Sequence, residues 1–449
     1  MIIKQRKLIG NFLLILILLI YFIIISNSLN VTQRLTFIEI VQFIIIAIIS
    51  IIAIISDKNK YSLNKMHWYF MLIFMVLAPF CQYCTGYYAW NYKVSNEYIE
   101  KANWVILLWI VIYLLEYNNN NIISIKKKKK REICLCNTEQ NILIIISLIS
   151  TMIIIALVGF NNLFLREKSF LSGGTFSIMF NYLFRSIPAI NAAMFIKAKK
   201  SGQNVPLYYI IILLLCTFII NSPLALSRYW VGVIYIGLAL CIFPEKVFDG
   251  KKFDYYVLVG LLIMFPISYL FKKYTLFDVL STGVKLDVIG VFLGVDFDAH
   301  SILCRIIQFV EKNSLQLGGQ IKSVIFFFVP RAILDIKGIP TGQLVATKQG
   351  SYYTNVSAPL MGEGYIDFGI IGVILYAAIF AYVLKKIDKA YWDNEKIQKV
   401  YYMDIILPFM MGFVLFLMRG ALQPAFLRFM GFFLYLIIYA ISKKVRIRR

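Results

Sequence analysis

The chain has 449 residues, 60% hydrophobic and 15% charged, with a mean hydropathy of +0.76 and a formal net charge of +23. A soluble fold of this length needs far more polar surface, and disordered or fibrous chains lack such apolar content. Runs such as 13–25 and 142–158 have no polar face, and about 20 such residues cross the roughly 30 Å hydrocarbon core. The composition therefore predicts an all-α polytopic membrane protein.

Hydropathy places about twelve transmembrane helices in chain order, near 8–26, 37–56, 67–86, 104–117, 141–160, 174–196, 206–221, 229–244, 253–271, 365–384, 402–418 and 424–441. The first is too long for a signal's apolar region, and no A-x-A site follows, so it reads as an uncleaved span. Alternate segments (1–7, 57–66, 118–140, 197–205, 245–252, 385–401 and 442–449) hold 28 Lys and Arg, whereas the intervening short loops hold 7. Because basic residues stay inside, both termini are expected in the cytoplasm. The run 126–131 is a topology anchor on this reading, and no nucleic-acid partner is expected.

The organisation is uneven. Residues 1–271 hold nine expected spans, 272–364 form one outer loop of 93 residues, and 365–449 hold three more spans. A long loop inside a compact chain is usually functional. This one contains an amphipathic piece at 299–312 and an apolar run at 324–329 too short to span, which suits a short interfacial or re-entrant helix. No internal repeat divides the chain into matched halves. The seven cysteines give the loop no disulfide framework, since only Cys304 falls clearly within it. No Walker, dinucleotide or zinc-protease motif appears, so no cofactor and no metal are expected.

The costly polar residues are arginines. Arg185 lies mid-span, where a cation needs a partner or a wet cavity. Arg228 opens a span from outside, Arg419 and Arg428 flank the last one, and Arg305, Arg331 and Lys337 lie in the loop. Snorkelling accounts for Arg428 and Arg419 as well as function does, but poorly for Arg185. Cations converging on the outer face suit an anion, and the planar fork of Arg fits phosphate oxygens.

Several pieces carry a resemblance: Phe328-Val-Pro330-Arg331, Lys337, Asn355-Val-Ser-Ala-Pro359, Gly362-Glu363-Gly-Tyr365-Ile-Asp-Phe368-Gly369, and upstream Arg185…Pro188 and Ser227-Arg228. Over roughly 174–240 and 296–372 the chain resembles the Wzy-type O-antigen and oligosaccharide repeat-unit polymerases. The resemblance implies a glycosyltransferase-C-like membrane fold in the bacterial inner membrane with a periplasmic active face. It also implies undecaprenyl-pyrophosphate-linked oligosaccharides as substrates, membrane lipids as surroundings, and a chain-length regulator and a flippase as partners. The implied reaction passes a growing glycan from undecaprenyl pyrophosphate to an incoming lipid-linked repeat unit. An O-antigen ligase, or a flippase that makes no bond, are the alternatives.

The residues suit that chemistry on their own terms. A diphosphate leaving group needs charge neutralisation more than a proton, and Arg185, Arg228, Arg331 and Lys337 are assigned to it. The acceptor hydroxyl needs a base. Glu363, between two glycines, is the first choice and His300 the competitor. Asp296-Phe-Asp298 spells a metal-binding D-x-D, yet Asp298 can equally orient an arginine or a sugar. Tyr353 and Tyr365 can stack on sugars, although Tyr also gathers at bilayer interfaces.

Overall fold

The computed structural model describes residues 35–119, 132–164, 175–243, 245–249, 251–264, 292–329, 338–393 and 399–447. The expected span at 8–26, the basic run at 126–131, Arg331 and Lys337 lie outside the described residues.

Among the described residues fourteen helices follow from capping and apolar length. Helix α1 (Phe37–Ser56) opens with a capping box, in which Thr36 accepts from the backbone of Glu39 and Glu39 answers to that of Thr36. Helix α2 (Leu63–Cys84) starts at Ser62, whose hydroxyl accepts from Lys65 N, and widens into a π turn at Ile73–Leu77. Next come α3 (Asn96–Asn118) and α4 (Asn137–Val158), the latter stopped by Gly159. Helices α5 (Thr175–Lys200), α6 (Leu207–Ile220) and α7 (Arg228–Ile242) follow. Helix α8 (Lys252–Val259) runs on into a second π turn, Gly260–Met264. The loop region supplies α9 (Ala299–Lys312), α10 (Gly319–Ile325) and α11 (Thr341–Lys348). Helices α12 (Leu360–Trp392), α13 (Met403–Arg419) and α14 (Leu422–Ile447) complete the chain.

The protein is a multi-pass membrane protein, but the expectation of about twelve spans is corrected. Among the described residues six helices are long and apolar enough to cross: α1, α2, α3, α4, α12 and residues Leu422–Lys443 of α14. The reason is geometric. At 1.5 Å per residue, helices α6 (14 residues), α7 (15 residues) and α13 (17 residues) fall short of a roughly 30 Å core. Of the expected span at 253–271, α8 and its π turn are described as far as Met264 and the rest lies outside the described residues, while α5 carries Arg185 and three lysines in its last turn. The described residues form no sheet, only an isolated bridge between Glu132 and Tyr401. The glycosyltransferase-C-like assignment and the twelve-span Wzy-type O-antigen polymerase identity are withdrawn on these grounds.

One core holds the bundle. Helix α3 packs on α12, α7 on α13, and α5 on α14 and α4. At one end the basic segments meet acidic residues, of which Asp254 and Asp388 are buried and Asp249 is exposed. Lys65 pairs with Asp254 at 3.1 Å, Lys60 with Asp249 at 3.2 Å, and Asp388 accepts from Leu63 N and Asn64 N at the start of α2. At the opposite end α9 lies against α3 and α12 and shares a small apolar cluster with α11 through Ile302, Ile306, Val345 and Ala346.

Helix α12 is not straight. Phe368 (φ −140°, ψ 18°) and Gly369 (φ 63°, ψ −141°) break it, and Gly369 adopts backbone open essentially to glycine alone. The chain doubles back there, because a Cβ at Gly364 would lie 2.7 Å from the carbonyl oxygen of Gly372. Asp367 beside the turn accepts from Gln320 N and Ile321 N at the start of α10. The Gly-Glu-x-Tyr-x-x-Phe-Gly element is thus a tight reversal with its own structural logic. Gly372→Ala places a methyl group on the Gly364 carbonyl. It is expected to destabilise the fold by about 1–3 kcal/mol, an overpacking cost. Thermal unfolding of the purified chain checks this, and an unchanged midpoint would refute the close approach.

Candidate functional site

Asp298 organises the end of the bundle away from the basic segments. It precedes α9 but spends no side-chain bond on capping it. Its Oδ1 accepts from Ser357 Oγ at 2.7 Å and from Arg419 Nη2 at 2.9 Å, while Oδ2 accepts from Trp90 Nε1 at 2.7 Å. The carboxylate is fully buried, so these three donors and one positive charge stand in for water. Segments distant in sequence are brought together by a single anion.

Three guanidinium groups surround one aromatic pair nearby. Tyr229 and Phe416 stack with ring centroids 5.7 Å apart. Arg419, at the end of α13, lies 5.1 Å above the Tyr229 ring, and its Nη2 also donates to Val295 O at 3.1 Å. Arg428, nearly two turns into α14, lies 5.4 Å from Phe416 and 5.1 Å from Tyr182. Arg228, the first residue of α7, forms an ion pair with Asp296. Cation–π contacts hold Arg419 and Arg428, while Asp298 and Asp296 offset the charges of Arg419 and Arg228, so the corner keeps one cation in excess.

An apolar cavity of about 390 Å³ descends from that corner. Its walls come from α7, from α8 with its π turn, and from α13, with Met66 and Phe74 of α2 behind. Arg228 and Tyr229 stand at one end, and Phe248 and Phe253 at the other. Along α7 the lining extends from Arg228 to Leu240, a drop of roughly 18 Å at 1.5 Å per residue. A Cβ built on Gly260 meets nothing within 4 Å, so this glycine faces open space.

The remaining expected residues are placed as follows. Arg185 is buried in α5, where Nε donates to Asn181 Oδ1 at 2.6 Å and Nη1 donates to Ile220 O at the end of α6. Asn221 returns a bond to Arg185 O and accepts from Trp230 Nε1 at 2.8 Å, two residues from Arg228. Arg185 therefore aligns α5, α6 and α7. Glu363 is fully buried, its Oε2 accepting from Thr341 Oγ1 and its Oε1 from Leu422 N at 2.7 Å, the first residue of α14. It ties α11 and α12 to the turn that carries Arg419, whose own carbonyl accepts from Ala358 N at 3.2 Å. Tyr365 is half-buried beside the α9 cluster, and Tyr353 is exposed near Trp90.

His300 is fully buried against the Phe43 ring, with Nδ1 2.8 Å from Tyr83 Oη and Nε2 3.0 Å from Asn103 Oδ1. Burial pushes its pKa down to about 3. A histidine whose folded pKa lies below the ordinary 6.5 stays neutral in the fold and is charged more readily once unfolded. Its contribution to stability is therefore full above pH 6.5 and is lost progressively between 6.5 and about 3. Unfolding midpoints should fall between pH 7 and pH 4, less steeply in His300→Gln. An equal slope in both proteins would refute the buried neutral imidazole.

Among the described residues no group of three His, Cys, Asp or Glu side chains is arranged to hold a metal ion. Both oxygens of Asp298 are engaged by protein donors, so the D-x-D spelling serves an arginine clamp in this fold. The elements that sequence reasoning missed are Trp90, Ser357, Tyr229 and the cavity. Ser357 stood inside a quoted motif, whereas nothing in the sequence distinguishes Trp90 from an interfacial tryptophan. Comparison with family models, curated proteins and solved structures finds no significant match.

Proposed function

We propose that this chain is a membrane glycosyltransferase that moves a glycan from a polyprenyl diphosphate to a sugar hydroxyl of a second lipid-linked oligosaccharide. The observation that carries this reading is the apolar cavity with Arg228 at its mouth and Arg419 close by. A prenyl chain is apolar throughout and ends in a diphosphate, which is the pairing of surfaces that the cavity and the arginines offer.

In this reading the acceptor hydroxyl attacks the anomeric carbon, and the bond from that carbon to the diphosphate oxygen breaks. The diphosphate departs with the electron pair, and Arg228 and Arg419 neutralise its charge, with Arg331 and Lys337 as further candidates beyond the described residues. The hydroxyl proton goes to a carboxylate. Asp296 is our choice, because it is beside Arg228 and its side chain keeps 13% exposure, whereas Glu363 is sealed between two donors. The excess of basic residues in the segments at the opposite end supports a reading with this face on the outer side of a bacterial plasma membrane and both termini cytoplasmic.

The test uses lipid-linked oligosaccharide extracted from cells lacking the gene. The purified chain should convert it to longer glycan and release polyprenyl diphosphate. Transfer to a different lipid acceptor would make it a ligase, and movement across vesicles without bond formation would overturn the enzymatic reading. Gly260→Phe, which fills the cavity, should raise KM for the lipid-linked donor at least about tenfold, since burial of even a few methylenes is worth about 0.8 kcal/mol each. An unchanged KM in that variant would remove the cavity from the mechanism.

A further inference from the structure

Trp90 lies in a short turn, Ala89–Asn91, between α2 and α3. Trp90 (φ 61°) and Asn91 (φ 55°) both hold left-handed backbone, which is uncommon for residues with a side chain. Such conformations persist where the surroundings over-determine them, and they gather at ligand clamps. Here the determinant is the bond from Trp90 Nε1 to Asp298, the carboxylate that also holds Arg419.

The other face of Trp90 meets a pair of exposed tyrosines. Its ring centroid is 5.7 Å from that of Tyr353 at an angle of 49°, and Tyr353 meets Tyr352 edge-on at 4.9 Å. Tyr352 is 91% and Tyr353 61% exposed. These rings project from the 349–353 loop, not from a spanning helix, and the loop is fastened from beneath. Arg305 donates from Nε to Gln349 Oε1 at 2.7 Å and from Nη2 to Ser351 Oγ at 2.5 Å, with its guanidinium 4.3 Å over the Tyr92 ring. A buried arginine thus holds two exposed aromatics in place, and a tryptophan anchored to the arginine clamp makes the third side. Open aromatic faces tilted against one another suit the apolar C–H face of a pyranose, which presents its hydroxyls at the rim.

We propose that Trp90, Tyr352 and Tyr353 form a sugar-stacking subsite that holds one pyranose ring of the glycan beside the Asp298–Arg419 pair. The subsite rests on the glycosyl-transfer reading and adds to it where the sugar lies. Arg305 is its positioning residue, since it reaches the sugar only through the 349–353 loop.

The experiment uses oligosaccharide released by mild acid from the lipid-linked material of cells lacking the gene, titrated calorimetrically into the full chain in nanodiscs. This probe has neither diphosphate nor lipid, so it reports the sugar subsite alone. The wild-type chain is expected to bind it. Tyr353→Ala is expected to weaken binding at least tenfold with an unchanged unfolding midpoint, and to raise KM for the lipid-linked acceptor while kcat is kept. Trp90→Phe keeps a ring but loses the bond to Asp298, so it should retain most of the affinity and lose kcat. No binding by the wild type, or equal binding by Tyr353→Ala and Trp90→Ala, would overturn the subsite while chain extension continued to support glycosyl transfer. Absence of any accumulating lipid-linked glycan would overturn both.

Discussion

Arg419→Ala is expected to abolish glycan extension and to destabilise the fold by about 3–5 kcal/mol, the usual cost of leaving a buried charge without its partner. The charge left behind is Asp298, fully buried and held otherwise by the neutral donors Ser357 and Trp90. Two consequences can be separated with a second substitution. Asp298→Asn in the Arg419→Ala background removes the stranded charge, so the unfolding midpoint should recover substantially. Activity should not recover, because the cation facing the diphosphate is still missing. Arg419→Lys should keep some activity but lose the planar guanidinium whose Nη2 reaches both Val295 O and Asp298 and which lies over the Tyr229 ring. Thermal unfolding and a glycan-extension assay on the four proteins decide the matter. Full-length product from Arg419→Ala would end the proposed clamp.

The second large effect distinguishes two carboxylates. Asp296→Asn should lower kcat by about 10²–10⁴-fold, the range for removal of a proton acceptor, with KM little changed. Glu363→Gln should retain most of the turnover. A glutamine carbonyl can still accept from Leu422 N, and its amide can donate to Thr341 Oγ1, so the turn carrying Arg419 stays in place. Glu363→Ala should fail through instability, since it strands a buried N–H and a buried hydroxyl at about 1–3 kcal/mol each. Loss of turnover in Glu363→Gln with a normal unfolding midpoint would return the base to Glu363.

The sequence disclosed the membrane class and many helix positions because hydropathy reports them directly. Helix α1 occupies the expected 37–56, and α9 the expected amphipathic 299–312. The number of crossings was not legible, because hydropathy does not show where a helix stops. The apolar stretch of α6 ends at Asn221, whose side chain is committed to Arg185 and Trp230, and α7 yields at Phe243. In the site, Arg228 was legible as a cation on the wrong side of a membrane rule, and Asp298 as part of the Asp296-Phe-Asp298 spelling, able to orient an arginine. The role of Arg419 was not, because an arginine at a span end looks like a snorkelling residue and its partner is 121 residues away. Glu363 was legible as a residue of interest, but its engagement by Thr341 and Leu422 depends on the reversal at Gly369.

The two π turns have a bearing on how such a cavity comes into being. A π turn is what a single inserted residue leaves in an α-helix, and both of these border the same void, through Phe74 on one wall and through Gly260 and Leu261 on another. Two one-residue insertions would be enough to turn packed helices into walls with room between them. By the same token, a chain shortened by one residue in 73–77 and one in 260–264 would regain regular helix at both turns, rotate Ala78–Cys84 by about 100° against the start of α2, and narrow the chamber with no change of side-chain chemistry. In a lineage of such proteins, ligand length would then be set by insertions and deletions before any substitution.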